Sequence, residues 1–415
     1  MSDDATTTAA DASAFVLEGD GSDLDAVTKW ITGVRRHLHQ YPELSLHEEK
    51  TSSFVFSLLE QLGLKPRRMA QYGVVADIPG QVDKPFVALR ADLDALPVTE
   101  ETGLPFASKI PGVMHACGHD GHTSMLLGAA AILLSQVKAG NKPKLPVRLV
   151  FQPAEENVAG AKAMVAAGVL EDVAAIFGGH IDRSYPVGTI IVHDGCVNAS
   201  ADLIDITFTG KSCHAARPHE GVDTIVMASS FVMKLQHIVA RAVDPSEPAV
   251  VTIGKMTAGT AFNIVAGSAH LLGTIRATRV ETRDAIRERV RRLAESVAHG
   301  YGGTVDVAFR DSVPPVINTS SLYPLAQDAA RAATAGCGED ASVRPLPKAN
   351  LGGEDFAEYL QHVPGFFVRY GAGFPGEPNY SAHTAKWDFN EDCMIIGSQY
   401  LAQTAVLAGA KLANQ

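Results

Sequence analysis

Apolar positions in the first part of the chain repeat with a helical period and then with the texture of buried strands. Trp30, Ile31, Val34 and Leu38 fall at helix spacing, and Pro42 interrupts them. Phe54, Val55, Leu58, Leu59 and Leu62 restore the stripe until Gly63 closes it. Short apolar runs at 74–78, 86–90, 147–151 and 173–180 are predicted strands. Helices are predicted from His122 to about Val137, and from Ala159 to Ala167. This alternation predicts an α/β domain whose mixed, largely parallel sheet is flanked by helices.

Near Ala199 the pattern changes. Residues 202–209 alternate apolar and polar, as a strand with one solvated face does. A helix (223–239), strands (249–253 and 269–276), a charged amphipathic helix (280–298) and a strand (305–309) follow. The order βαββαβ is that of a ferredoxin-like unit, with Pro314-Pro315 at its exit. The expected division is a disordered tail over 1–22, a catalytic domain over 23–198 and 313–415, and an inserted α+β domain over 199–312. The last part carries a helix (322–335), a strand (365–371), a loop with His383 and a final apolar helix.

The residues with chemistry cluster at strand ends. His115-Ala116-Cys117-Gly118-His119-Asp120-Gly121-His122 packs a thiol, three imidazoles and a carboxylate ahead of the apolar helix. Thiolate, imidazole and carboxylate together are the ligand set of zinc or a similar transition metal. Asp92 and Asp94 leave one predicted strand, Glu155 and Glu156 another, and His180 ends a third. Open α/β sheets hold their ligands at such ends. Adjacent glutamates repel, and a metal gives them a purpose: one ligates, the other takes a proton from water. His37 and His39 read as structural. A rival is a cysteine hydrolase using Cys117 with His119 or His122, since a helix start favours a thiolate. It leaves Glu155, Glu156 and His180 without a role. A non-catalytic binding protein would need neither the base nor the ligand set.

Composition narrows the classes. The 415 residues are 46% hydrophobic and 20% charged, which suits a globular protein. A net charge of −11 and a pI near 5.7 argue against nucleic acid as partner. Five scattered cysteines (117, 196, 213, 337 and 393) form no C-x-x-C pair and fit a reducing compartment. No Lys or Arg precedes Lys29, so no secretory or transit signal is read, and no apolar run spans a bilayer. A cytoplasmic protein without a membrane partner is the expectation.

Eight segments in order carry a resemblance: Arg36-His37-Leu38-His39…Pro42-Glu43-Leu44, Leu89 to Pro97, Met114 to His122, Phe151 to Glu156, Gly210 to Gly221, Gly273 to Arg276, Gly353 to Phe356, and His383-Thr384. The chain resembles the metal-dependent aminoacylase/carboxypeptidase family in its hippurate hydrolase and indoleacetyl-amino-acid hydrolase branch. The resemblance implies a metallopeptidase-like catalytic domain with an inserted ferredoxin-like lid and dimerisation domain. It implies two divalent ions per subunit, drawn from zinc, manganese, cobalt or nickel. Cys117 would be shared between them, His119 and His180 completing one site, Glu156 and His383 the other. Asp94 would stand behind the ligands, and Asp92 would not be one. Glu155 would be the general base and then the acid. His214 would reach into a partner subunit's site and hold the oxyanion, and Asn263 and Arg276 would bind the substrate carboxylate.

The implied activity is hydrolysis of N-acyl-L-amino acids by water activated at the metal, in a homodimer or tetramer joined through the inserted domain. The alternative is a carboxypeptidase or dipeptidase with the same machinery. Two departures stand near the expected pocket. Asn157-Val158 replaces a Gly-rich stretch after the paired glutamates, and Cys213 replaces a small residue beside His214.

Overall fold

The computed structural model describes residues 12–338, 341–376 and 378–413. The elements in chain order are α1 (Leu24–Gln40), α2 (Glu49–Gln61), β1 (Arg67–Met69), β2 (Gly73–Ile78), β3 (Phe86–Asp92), α3 (His119–Lys138), β4 (Val147–Gln152), α4 (Gly160–Ala166), β5 (Val173–Pro186) and β6 (Thr189–Ile191). Then come β7 (Ala201–Thr209), α5 (Thr224–Ala242), β8 (Ala249–Ala258), β9 (Ser268–Ala277), α6 (Val280–Tyr301) and β10 (Thr304–Val313). The chain closes with α7 (Tyr323–Thr334), β11 (Ser342–Arg344), β12 (Gly365–Gly373) and α8 (Cys393–Leu412). Two compact units result, one of residues up to Val197 with 317–347 and 358 onward, the other of 198–316 with 348–357.

The larger unit is built on an eight-stranded sheet ordered β1-β2-β4-β3-β5-β12-β6-β11. Its centre, β4-β3-β5-β12, is parallel, while β1, β2 and the β12–β6 contact are antiparallel. Every residue of β4 is buried, as expected of a strand covered on both faces. Helix α3 is buried on every side from His119 to Leu133 and packs against α8. The Met125 side chain of α3 packs directly over Gly397 of α8, where a Cβ would overlap its sulfur. By length and composition alone helix α8 could cross a bilayer, although Ser398, Gln399 and Thr404 break its apolar run. In the fold 67% of its most apolar window is buried, as in a core helix.

Asp23 caps α1 by accepting from the Asp25 and Ala26 N–H groups. Of the expected disordered tail, residues 1–11 lie outside the described residues, whereas within 12–22 a few residues pack onto the fold and most are exposed. Ala12 is fully buried, Phe15 stacks edge-on against Phe54, and Trp30 Nε1 donates to Phe15 O at 2.9 Å. Phe15 and Trp30 supply apolar area that composition alone does not reveal.

The smaller unit is β7-α5-β8-β9-α6-β10, and its antiparallel sheet runs β10-β7-β9-β8, the ferredoxin-like order. Strict alternation along β7 sends Ile204, Ile206 and Phe208 into a core with Phe231, Leu271, Ile286 and Val290. The buried Asp202 is paired with Arg283 at 2.8 Å. Residues 348–357, expected in the catalytic domain, belong to this unit: Ala199 N–H donates to Asn350 O and Asn198 Nδ2 to Gly352 O.

Candidate active site

Strands β3 and β4 run parallel, so the segments leaving their C-terminal ends emerge side by side. One carries Asp92 and Asp94, the other Glu155 and Glu156. Helix α3 delivers His119 and His122 from its first turn, three residues apart and therefore on one face. Each aspartate takes one histidine. Asp92 Oδ1 lies 2.7 Å from His122 Nδ1, and His119 Nδ1 donates to Asp94 O at 2.9 Å, with Asp94 Oδ1 at 3.2 Å. Arg90 holds the other Asp92 oxygen at 2.7 Å, which commits that carboxylate.

His122 has no role as partner of a catalytic thiol. Its Nε2 accepts the Ile181 N–H at 2.9 Å, so Nδ1 carries the proton toward Asp92 and both nitrogens are used. His180 lies inside β5 rather than at its end, paired in register with Arg369. Its Nδ1 donates to Ile181 O at 2.7 Å, and its Nε2 stands 3.3 Å from Cys117 Sγ. His383 has a left-handed φ of 67°, its N–H donates to Ala116 O at 2.8 Å, and its Nε2 is 3.3 Å from Glu156 Oε1.

These side chains form three-residue groups whose ligand atoms lie within 4.8 Å of one another: Cys117 with His119 and His180, Cys117 with Glu156 and His383, and His119 with Glu155 and Glu156. Cys117 is common to the first two. His119 Nε2 and Glu156 Oε1 are buried without a well-formed hydrogen bond among the described residues, Glu156 Oε1 having only the ion-pair approaches of His383 at 3.3 Å and His119 at 3.9 Å, a state that a cation relieves. The donor set and these two atoms fit divalent metal. The Asp94 and Ile181 oxygens that fix the tautomers of His119 and His180 are what metal-binding histidines require.

Electrostatics agree. Burial, with the charges of Glu156 and Glu155, pushes the Cys117 thiol well above its ordinary range despite the helix start. That runs against an activated nucleophile. Burial opposes charge on His119, but Asp92 and Asp94 outweigh it and raise its pKa. Glu156 raises that of His383. Burial also opposes ionisation of Asp94, yet its bonds to His119, Ser45 and the Glu156 N–H hold it below the usual carboxylate range.

The pattern of the sequence does not reveal the supports behind these residues. Ser45 Oγ donates to Asp94 at 2.7 Å, Gln152 accepts from Arg90 and Tyr359, and Glu48 accepts the Ala154 N–H. His39 is structural: buried between Asp120 and Glu100, it shares Asp120 with the buried Arg35. Long sequence separations hide all of these pairs.

His214, Asn263 and Arg276 lie on the smaller unit. His214 is exposed, and its Nδ1 accepts the Ala216 N–H at 3.1 Å, leaving Nε2–H as a donor. Ala215 N–H donates to Asn263 O at 3.0 Å, so those two residues are neighbours. Arg276, on β9, donates to Thr274 Oγ1 and Ile275 O.

Residues 88–406 match the family described as Peptidase family M20/M25/M40. N-acetyl-L-cysteine deacetylase of Bacillus subtilis (strain 168) is 38% identical over 400 residues, 96% of this chain and 93% of that one. IAA-amino acid hydrolase ILR1-like 2 of Arabidopsis thaliana is 38% identical over 385 residues, 92% and 85% of the two chains. A Bacillus subtilis crystal structure described as a dinuclear metal binding peptidase from the M20 family superposes with a TM-score of 0.80 at 37% identity, covering 92% of this chain and 99% of that one. The extent of these matches, on a site built to hold divalent metal, makes the chain a metal-dependent amidohydrolase and a member of the M20/M25/M40 peptidase family, in its aminoacylase branch.

Proposed function

We propose that the protein hydrolyses N-acyl-L-amino acids to a carboxylic acid and a free amino acid, with two divalent ions per subunit. The observation that carries the metal assignment is the pair of three-residue groups sharing Cys117. His119 and His180 hold one ion with Cys117, and Glu156 and His383 the other. A bound divalent ion supplies a Lewis acid and lowers the pKa of water toward ~7.

Glu155 then takes the proton of the attacking water and returns it to the leaving amine. Its carboxylate lies 4.0 Å from His119 Nε2, beside the ligands and about as near to that nitrogen as Glu156 at 3.9 Å. Asp94 orients His119 and the Glu156 backbone. His214 donates Nε2–H to the oxyanion from the smaller unit of a partner chain, and Asn263 and Arg276 hold the substrate carboxylate, for which the guanidinium fork is suited. Homodimerisation through the smaller unit is supported by β8, an edge strand with largely exposed residues, and by exposed Ile225, Met233 and Met256. The relatives named for deacetylation and for hydrolysis of amino-acid conjugates support the acyl-amino-acid class. The neighbour named a peptidase supports a second reading, cleavage of small peptides by the same residues.

The test is a panel. Protein stripped by chelator is reloaded with zinc, manganese, cobalt or nickel and offered hippurate, N-acetyl and indoleacetyl amino acids, and dipeptides. Metal-dependent release of amino acid from the acylated set is the expected result. Turnover of dipeptides alone moves the protein to the peptidase reading, and activity indifferent to chelator removes both.

A further inference from the structure

Glu48 occupies the N-cap position of α2, yet its carboxylate caps nothing there. Glu43 does that work instead, accepting the Lys50 N–H at 3.2 Å and the Thr51 N–H at 2.8 Å. Glu48 is thereby free to reach a segment 106 residues away, and its Oε1 accepts the Ala154 N–H at 2.7 Å. The residue is fully buried, and its Oε2 has no hydrogen-bond partner among the described residues. Burial, helped by the negative charge of Asp94, pushes its pKa up to about 7. A fully buried acid without a cation partner is expensive, so it calls for a purpose.

That purpose is legible in what Ala154 does. Strand β4 ends at Gln152, and Pro153 has no N–H to offer. Ala154 is buried with φ at 53°, a left-handed conformation that an L-residue adopts only under constraint. Its carbonyl accepts the Gly160 N–H at 3.0 Å, and the Val158 N–H donates to Glu155 O at 2.8 Å, closing a tight turn. Glu155 follows Ala154 directly. The direction in which Glu155 leaves the strand is therefore set by the backbone that Glu48 holds.

We propose that Glu48 is a positioning residue that acts through the Ala154 N–H to fix the turn presenting Glu155 to the substrate. The proposal rests on the reading of Glu155 as the base. Glu48 touches no reacting atom. Its contribution lies in orientation, where an error of about 1 Å costs ~10²-fold in rate.

The experiment compares Glu48→Gln, Glu48→Asp and Glu48→Met in the full-length, metal-reconstituted protein. The probe is hippurate or N-acetyl-L-cysteine, whichever is turned over faster. Gln keeps an oxygen at the same reach and resembles the protonated acid, Asp falls one methylene short, and Met offers no comparable acceptor. Met and Asp are expected to lower kcat by roughly 10–100-fold with KM within about threefold, while Gln stays within about threefold of the parent. Bound metal should be unchanged in all three. Deuterium exchange over residues 151–160 should rise in the Asp and Met variants and stay at the parent level in the Gln variant.

Unaltered kcat in the Asp and Met variants overturns the proposal. So does a Gln variant that falls as far as Met, or an effect carried by KM. If the Met variant does not fold, the Asp and Gln variants decide by the same criteria. Glu155→Gln measured alongside separates the two claims. Full activity in that variant removes the base assignment, whereas its inactivity beside an unaffected Asp variant removes only the role of Glu48.

Discussion

His119 Nδ1 donates to the main-chain oxygen of Asp94 at 2.9 Å and lies 3.2 Å from its carboxylate, so one aspartate fixes both tautomer and ring orientation. The same carboxylate accepts the Glu156 N–H at 2.9 Å. Two proposed ligands of different ions thus depend on one residue. Asp94→Ala should weaken metal binding by ~10–100-fold, the range for lost supports of metal ligands. Titration calorimetry on stripped protein reads it, and an unchanged affinity would mean that Asp94 only packs.

Glu155→Gln should lower kcat by ~10²–10⁴-fold, the usual worth of a general base, while bound metal is retained. Elemental analysis of the inactive variant distinguishes a missing base from a missing ion. Metal lost together with activity would make Glu155 a ligand.

Metal uptake should release protons and weaken in acid. Burial and two glutamates raise the Cys117 pKa, and carboxylates raise those of His119 and His383, so the metal-free groups hold their protons to higher pH than usual. Ligation requires their removal, and affinity therefore rises with pH. Calorimetry in two buffers of different ionisation enthalpy counts the protons. No release, or tighter binding at lower pH, contradicts the ligand assignment.

Val158 stands at φ 63°, a left-handed position that a β-branched side chain occupies only under strain. Relief of that strain, roughly 1–2 kcal/mol, exceeds the ~0.5–1 kcal/mol entropic cost of glycine. Val158→Gly should thus stabilise the fold by up to about 1 kcal/mol. Thermal unfolding of metal-free protein tests the sign, and a lower midpoint shows that Val158 packing outweighs its backbone cost.

The candidate site was legible in the sequence where one short stretch carried several ligand types. Cys117, His119 and the Glu155-Glu156 pair announce themselves that way, and strand ends supply their places. The βαββαβ order gave the smaller unit because β7 alternates so strictly. Other features were not legible, for physical reasons. Glu48 lies on an amphipathic helix start, where a charged residue ordinarily caps or faces water, and only the fold shows it turned inward to Ala154. His122 resembles its neighbours until the Ile181 N–H is seen to occupy its second nitrogen. Residues 12–22 have the composition of a tail, but Phe15 finds Phe54 and Trp30 as partners.

The smaller unit takes its residues from two stretches, 198–316 and 348–357, so the chain crosses between units four times. Asn198 and Ala199 bind the second stretch through Gly352 and Asn350. The insert is therefore not a cassette with a single entrance and exit. Grafting 199–312 alone onto another scaffold would leave behind the strand of chain that closes its base, and recombination among relatives can exchange it cleanly only when both stretches travel together.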